Sequence, residues 1–111
     1  MRNLAKSAIN NLGLKSVVQY VSRFRKLPSA RYINIGCGGN PILKDGWVNI
    51  DLTPSFDIYY SDVTKGINYP SASIDLIFSE HMIEHLEKDG AYGFLKECYR
   101  LLTDGAVLEI S

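Results

Sequence analysis

Apolar and polar positions along this 111-residue chain follow two different periods, and the change of period divides it. In residues 2–12, Leu4, Ala5, Ala8, Ile9 and Leu12 make one helical stripe. Gly13 interrupts, and in residues 16–26 Val17, Tyr20, Val21 and Phe24 recur at i, i+3, i+4 and i+7. Two short amphipathic helices ending at Pro28 are therefore expected. Beyond Pro28, short apolar runs bounded by turn residues predict strands at 31–35, 47–51, 56–60, 74–78 and 106–111. Ser79 reads as the N-cap of a helix beginning at Glu80. Phe94, Leu95, Cys98 and Leu101 give the inward face of a second helix over 91–102, stopped by Asp104 and Gly105. The last strand is apolar on both faces, as a central parallel strand would be.

Between the first two strands the pattern carries chemistry. Gly36, Gly38 and Gly39 permit positive φ and let backbone N–H groups approach a ligand with no Cβ in the way. Asp51, at the end of the second strand, can accept two hydrogen bonds from a ribose diol. A nucleoside-type ligand at the carboxyl ends of parallel strands suits this pair. A plain turn is the simpler reading of the glycines alone. A dinucleotide fits poorly, because Pro41 stands where the third motif glycine would be. Fifteen positions separate Gly36 from Asp51, fewer than the roughly 20 of a nucleotide-binding unit. Turn signals at Asn40-Pro41 and Asp45-Gly46 then leave room for a loop or one helical turn in place of a crossover helix. One face of the sheet would be thinly covered, with Trp47 helping to fill it.

Five segments stand in order: Asn-Ile-Gly-Cys-Gly at 34–38, Gly-Trp-Val-Asn-Ile-Asp-Leu at 46–52, Ser-Asp-Val at 61–63, Asp-Leu-Ile-Phe-Ser-Glu-His-Met-Ile-Glu-His-Leu at 75–86, and Arg-Leu-Leu-Thr-Asp-Gly-Ala-Val-Leu at 100–108. Over roughly residues 31–111 the chain resembles the class I S-adenosylmethionine-dependent methyltransferases, especially the small bacterial type (methyltransferase type 11-like). The resemblance implies a Rossmann-like α/β fold, a mostly parallel sheet in order 3-2-1-4-5, and S-adenosyl-L-methionine as cofactor. It implies that Asn34, Gly36, Cys37, Gly38 and Gly39 hold the methionine moiety, Asp51 and Leu52 the ribose side, and Asp62 with Val63 the adenine, while Ser79 and Glu80 line the floor. By itself, Asp62 reads as an ordinary loop acid. Many family members carry an acid where this chain has Asn34, so weaker cofactor binding is expected, and Asn34→Asp is expected to tighten it. Family members also continue through two further strands, so a fragment of a longer protein, with its last strand left at a sheet edge prone to self-association, is the expectation.

The methyl acceptor, of small-molecule or glycan type, is not named by the sequence. For a hydroxyl or protonated amine acceptor His81 is the candidate base, since an unperturbed imidazole titrates near neutrality. Residues 81–85, His-Met-Ile-Glu-His, also match the H-x-x-E-H zinc-hydrolase pattern, with His81 and His85 on one helical face and Glu84 as base. A third ligand is wanting there: Glu87, Asp89 and Glu97 have no compelling spacing. A non-catalytic module of the same fold, binding the nucleoside or a partner, is the other reading.

Composition changes this picture in one respect. Apolar content of 46% and charged content of 22% are ordinary, but the zero net charge hides an asymmetry. Residues 1–31 hold seven basic residues and no acid; the other 80 hold five basic and twelve acidic. The favoured reading is an N-terminal basic segment (1–28) packed on its own acidic cofactor-binding domain (29–111), closing over the cofactor as the resemblance implies. Nucleic acid or an anionic membrane surface is the less favoured partner. Cys37 and Cys98 have unrelated contexts, so free thiols and a cytoplasmic location are the default expectations.

Overall fold

The computed structural model describes residues 6–111. Five strands form one parallel sheet: β1 (Tyr32–Ile35), β2 (Trp47–Asp51), β3 (Tyr59–Tyr60), β4 (Ile74–Ser79) and β5 (Leu102–Ile110), in the order β3-β2-β1-β4-β5. This is the expected order, with two helices, α1 (Lys6–Ser22) and α2 (Lys88–Leu101). In register, Ile33 stands beside Val48 and Ile77, and Ile35 beside Ile50 and Ser79. That row is the core face, and Phe94, Cys98 and Leu101 of α2 close over it, all fully buried. Each such large apolar side chain contributes about 1.5–3 kcal/mol. Leu95, expected inward, is exposed. The opposite face carries Tyr32, Asn34, Trp47, Asn49, Leu76 and Phe78 in register. Here Trp47 tilts against Tyr32 at 5.5 Å and stays half-buried, which is the thin coverage expected.

Several boundaries differ from the sequence pattern, each because backbone groups found other partners. α1 is broken at Gly13 (φ 76°, ψ 160°), as expected, but its second piece ends at Ser22 rather than 26. Past Ser22, the Arg25 guanidinium donates to the carbonyls of Ser55, Phe56 and Ile58, and lies 4.1 Å over the Tyr59 ring. The stripe expected at Leu4, Ala5, Ala8, Ile9 and Leu12 rests on side chains outside those described. β3 is two residues long because Ser55 and Ile58 exchange backbone bonds in a tight turn instead of joining the sheet.

The helix expected from Glu80 does not form, and Ser79 is not an N-cap. Ser79 is the last residue of β4, its carbonyl accepting from Ser111 N–H at 2.9 Å, while His81 N–H donates to Ser111 at 2.8 Å. Sheet pairing thus takes the backbone a first helical turn would need. His81 is left at φ 52°, followed by one 3₁₀ turn, Ile83–His85. α2 starts at Lys88 rather than 91 and runs directly into β5; Asp104 and Gly105 do not stop it. They lie in a bulge where Leu102 pairs with Ile74 but Val107 with Leu76, and Gly105 (φ 80°) supplies the turn. β5 is an edge strand, with Val107 and Ile110 exposed.

α2 is tied to the sheet connection by one ionic cluster. Glu97 accepts from Ile67 N–H (2.5 Å) and from Arg100 Nε (2.6 Å), while Arg100 also donates to the Ile67 and Tyr69 carbonyls, each at 2.8 Å. Hydrogen bonding from Arg100 holds the Glu97 carboxyl below its usual range. The folded state therefore favours the carboxylate, and its contribution is complete above about pH 4.5 and lost as pH falls below it. Glu97→Gln is expected to flatten the acid limb of a stability-versus-pH curve below about pH 4.5, read by thermal melting; an unchanged limb would discard this assignment.

Candidate functional site

The glycine-rich connection, residues 36–46, contains no helix, and two buried carboxamides take over its backbone. Asn49 Oδ1 accepts from Ile42 N–H (2.8 Å) and its Nδ2 donates to the Ile42 carbonyl (3.0 Å), in the manner of a strand neighbour. Asn34, its register partner, donates Nδ2 to Asn49 Oδ1 (3.0 Å) and to the Asn40 carbonyl (3.3 Å). At the other side of the loop Gly38 N–H donates to Asp51 Oδ2 (2.9 Å), and Thr53 N–H to Asp51 Oδ1 (2.9 Å). Each carboxylate oxygen keeps a lone pair, so Asp51 can still accept from a diol.

Two cavities meet at Gly36, at the carboxyl ends of β1, β2 and β4. One, of about 220 Å³, is bounded by Ile35, Ile50, Asp51, Leu52, Ser61, Asp62, Val63, Thr64, Met82, His85 and Leu86. Its walls are mainly apolar, and Asp51 and Asp62 are its acids. Asp62 Oδ1 caps the 3₁₀ turn Val63–Lys65, accepting from Thr64 N–H (3.1 Å) and Thr64 Oγ1 (2.6 Å). The Thr64 hydroxyl bond leads the causes that hold Asp62 below the usual carboxylate range. The second cavity, of about 430 Å³, is bounded by Asn34, Cys37, Gly38, Gly39, Asn40, Ile42, Phe78, Glu80 and His81. A third, of about 470 Å³, brings Gln19 of α1 against Gly38, Gly39 and Asp51.

The glycines differ in what they make room for. A Cβ on Gly36 (φ 68°) would lie 2.7 Å from Met82 Cγ, so Met82 packs on the bare backbone where the two cavities join. Cβ atoms on Gly38 (φ 55°) or Gly39 would meet nothing within 4 Å. That space is open for a ligand. The Cys37 thiol is pushed up to about 11 by burial and by the Asp51 charge, so it stays protonated and unreactive near neutral pH.

Most residues singled out from the sequence come together here: Gly36, Asp51, Leu52, Asp62 and Val63 around the first cavity, and Asn34, Gly36, Cys37, Gly38, Gly39, Glu80 and His81 around the second. Ser79 does not line either cavity. It is 1% exposed, and its Oγ has no hydrogen-bond partner among the described residues. The zinc pattern is not assembled. Without a helix from residue 80, His81 borders one cavity and His85 the other, and no group of three or more His, Cys, Asp or Glu among the described residues could hold a metal. His81 instead lies with Nε2 3.6 Å from Glu80 and Nδ1 3.6 Å from Glu84. Sequence reasoning missed Asn49 and Met82. Asn49 had a signal, a polar residue between Val48 and Ile50 in a buried strand; Met82 had none.

The brace reverses the expectation for position 34. A carboxylate there would face two acceptors, Asn49 Oδ1 and the Asn40 carbonyl. Turning the Asn49 amide to meet it would set that amide against both Ile42 backbone groups. Asn34→Asp is expected to cost about 1–3 kcal/mol of stability and to weaken any ligand bound by the loop. Thermal melting checks the first part, and a variant as stable as the parent would show the brace to be dispensable.

A family model described as a methyltransferase domain matches residues 33–110. No curated protein matches the chain. Among solved structures it is similar to phosphoethanolamine N-methyltransferase 1 of Haemonchus contortus, in complex with phosphoethanolamine and S-adenosylhomocysteine. The identity is 16% and the TM-score 0.57, over 91% of this chain and 26% of that one. It is also similar to an S-adenosylmethionine-dependent methyltransferase from Mesorhizobium loti, at 16% identity and TM-score 0.52, over 85% of this chain and 50% of that one. The chain thus spans about a quarter and a half of the lengths of these two structures, and at such identities they establish the fold. No helix among the described residues is long and apolar enough to cross a membrane. With the family model covering most of its length and a parallel sheet of matching order, the chain belongs to the methyltransferase-domain family, with a Rossmann-like fold.

Proposed function

We propose that this chain is an S-adenosylmethionine-dependent methyltransferase, or the cofactor-binding portion of one, and that the cofactor lies across the two cavities joined at Gly36. The observation that carries this reading is the pair of unlike cavities on either side of one bare backbone position. The first suits adenine: Leu52 and Val63 supply apolar contact, and Asp62 Oδ2, which takes no hydrogen bond among the described residues, can accept from an exocyclic amine. Asp51, which borders the first cavity and holds Gly38 of the second, suits the ribose diol. The second suits the methionine moiety, with the open faces of Gly38 and Gly39 and the carboxamide of Asn34. The two structures it resembles are methyltransferases, and the Haemonchus contortus enzyme holds S-adenosylhomocysteine.

The bound cofactor would supply a methyl group on a positively charged sulfur, already a strong electrophile. The protein's part is to hold an acceptor in line and close, an effect worth several kcal/mol, and to take the acceptor's proton. His81 is the candidate for that proton: its imidazole borders the second cavity and is largely exposed between Glu80 and Glu84. Glu80 borders the same cavity, while Ser79, buried behind it, would act only on the floor. The acceptor is of small-molecule or glycan type on this reading.

Calorimetric titration with S-adenosylhomocysteine tests the cofactor site. The parent chain is expected to bind in the micromolar range, and Asp51→Ala to lose at least about tenfold, the scale of one charge-assisted hydrogen bond. Because Asp51 also holds Gly38 N–H, Gly39→Ala is the sharper control: Gly39 has no left-handed backbone and an added Cβ meets no protein atom within 4 Å, so lost binding with little stability change would mean the ligand occupies that space. A folded parent chain that binds neither S-adenosylmethionine nor S-adenosylhomocysteine would overturn the reading. His81→Gln should leave this affinity within about twofold and, against an identified acceptor, slow transfer by about 10²–10⁴.

A further inference from the structure

The segment before β1 brings one polar side chain to the same side of the sheet as the glycine loop. Gln19, on the second piece of α1, is half-buried and borders the third cavity together with Gly38, Gly39, Asp51, Thr53 and Ser55. The chain around it is fastened to the rim of that cavity. The Gln19 carbonyl accepts from Arg23 N–H at 3.2 Å, one helical turn on, and the Arg23 guanidinium lies 4.7 Å over the Tyr60 ring. Tyr60 is the register partner of Asp51. Arg25 donates to the carbonyls of Ser55, Phe56 and Ile58, and Ser55 and Ile58 themselves line the cavity. Two arginines therefore tie α1 to the strand pair and the turn that flank Asp51.

A ribose diol held by Asp51 needs something that Asp51 lacks. A carboxylate only accepts, so it takes hydroxyl protons and leaves the lone pairs of the hydroxyl oxygens without a donor. The Gly38 and Thr53 N–H groups are spent on the carboxylate itself, each at 2.9 Å. Gln19 is the one side-chain amide lining the third cavity, and its Nε2 carries two protons. Asp51 borders both the first cavity and the third, so a nucleoside with its base in the first has its diol where the third begins. We infer that Gln19 is a ribose-binding residue, its Nε2 donating to a hydroxyl oxygen of the diol that Asp51 accepts from, with Arg25 the positioning residue that keeps it there. This rests on the cofactor reading above and extends that site to α1.

Calorimetric titration of the 111-residue chain with S-adenosylhomocysteine and with its 2′-deoxy and 3′-deoxy forms tests it. Gln19→Ala is expected to weaken S-adenosylhomocysteine about fivefold, the scale of one neutral hydrogen bond. The deoxy form that lacks the hydroxyl Gln19 meets should be weakened less than about twofold by the same substitution. Alanine is the best helix former, so the variant is expected to keep the fold. Arg25→Ala should cost at least as much as Gln19→Ala, and adding Gln19→Ala to it should cost nothing more. Where Arg25→Ala does not fold, Arg25→Lys takes its place, since an ammonium lacks the fork that reaches three carbonyls. No loss on Gln19→Ala, or an equal loss for all three ligands, would overturn the inference and leave the cofactor reading standing. Additive losses in the double variant would remove Arg25 from it. A folded parent chain that binds none of the three ligands would overturn both.

Discussion

A parallel pair of strands joined without a crossover helix leaves a row of backbone groups to be satisfied, and the site depends on how this chain satisfies them. A connection of this kind usually runs through a helix, which pairs its own N–H and C=O groups. Residues 36–46 have none, and buried unpaired backbone groups cost about 1–3 kcal/mol each. Asn49 therefore acts as a substitute strand, bonding Ile42 in both directions, and Asn34 locks its amide orientation. On the other side, Asp51 holds Gly38. The loop is clamped by a neutral pair at one end and an anion at the other. The glycines between are thereby presented with their open faces outward.

The same clamp explains why the two cavities differ. The β1–β2 register ends at Ile35 and Ile50 with Gly36 N–H donating to the Ile50 carbonyl, and Met82, from the chain after β4, lies on Gly36. On the core face of the sheet the space beside Gly36 is closed by Val63, Leu86 and the 3₁₀ turn, so it is apolar. On the thin face it is bounded by the loop itself, so it is lined by backbone amides and carboxamides. A ligand with an aromatic end, a diol and a polar charged end matches that sequence of environments. Substituting Gly36 would force both a left-handed backbone on an L-residue, about 1–2 kcal/mol, and displacement of Met82.

The sheet was legible in the sequence because β-branched residues at 33, 35, 48, 50 and 77 bury one face, and register follows from that burial. That the glycine turn and Asp51 would meet was legible because they stand at the ends of neighbouring parallel strands, where Gly38 N–H reaches Asp51 Oδ2. What could not be read was the competition at residue 79. Ser-Glu after an apolar run is a good helix start, yet Ser79 and His81 pair with Ser111, about thirty residues later. Local capping loses here to backbone pairing with β5, whose ladder with β4 runs from Leu102 to Ile110. The same long-range pairing makes Asp104 and Gly105 a bulge rather than a helix stop. Leu95 was misjudged for a simpler reason: α2 buries a stripe of Phe94, Cys98 and Leu101, too narrow to include it.

That lost competition bears on the chemistry. With a helix from Glu80, His81 and His85 would share a face and a single ligand. With β4 extended instead, His81 takes φ 52°, a conformation that costs a non-glycine residue of order 1–3 kcal/mol and persists only when its surroundings hold it. Its N–H is held by Ser111 and its ring lies between Glu80 and Glu84. The edge strand is therefore part of the site: the pairing at the end of β5 fixes the backbone that aims the imidazole at the second cavity. Cys37, the other side chain there with nucleophilic chemistry, is kept protonated by burial and by Asp51. Asp51 thus holds the loop, presents acceptors for a diol and silences the neighbouring thiol.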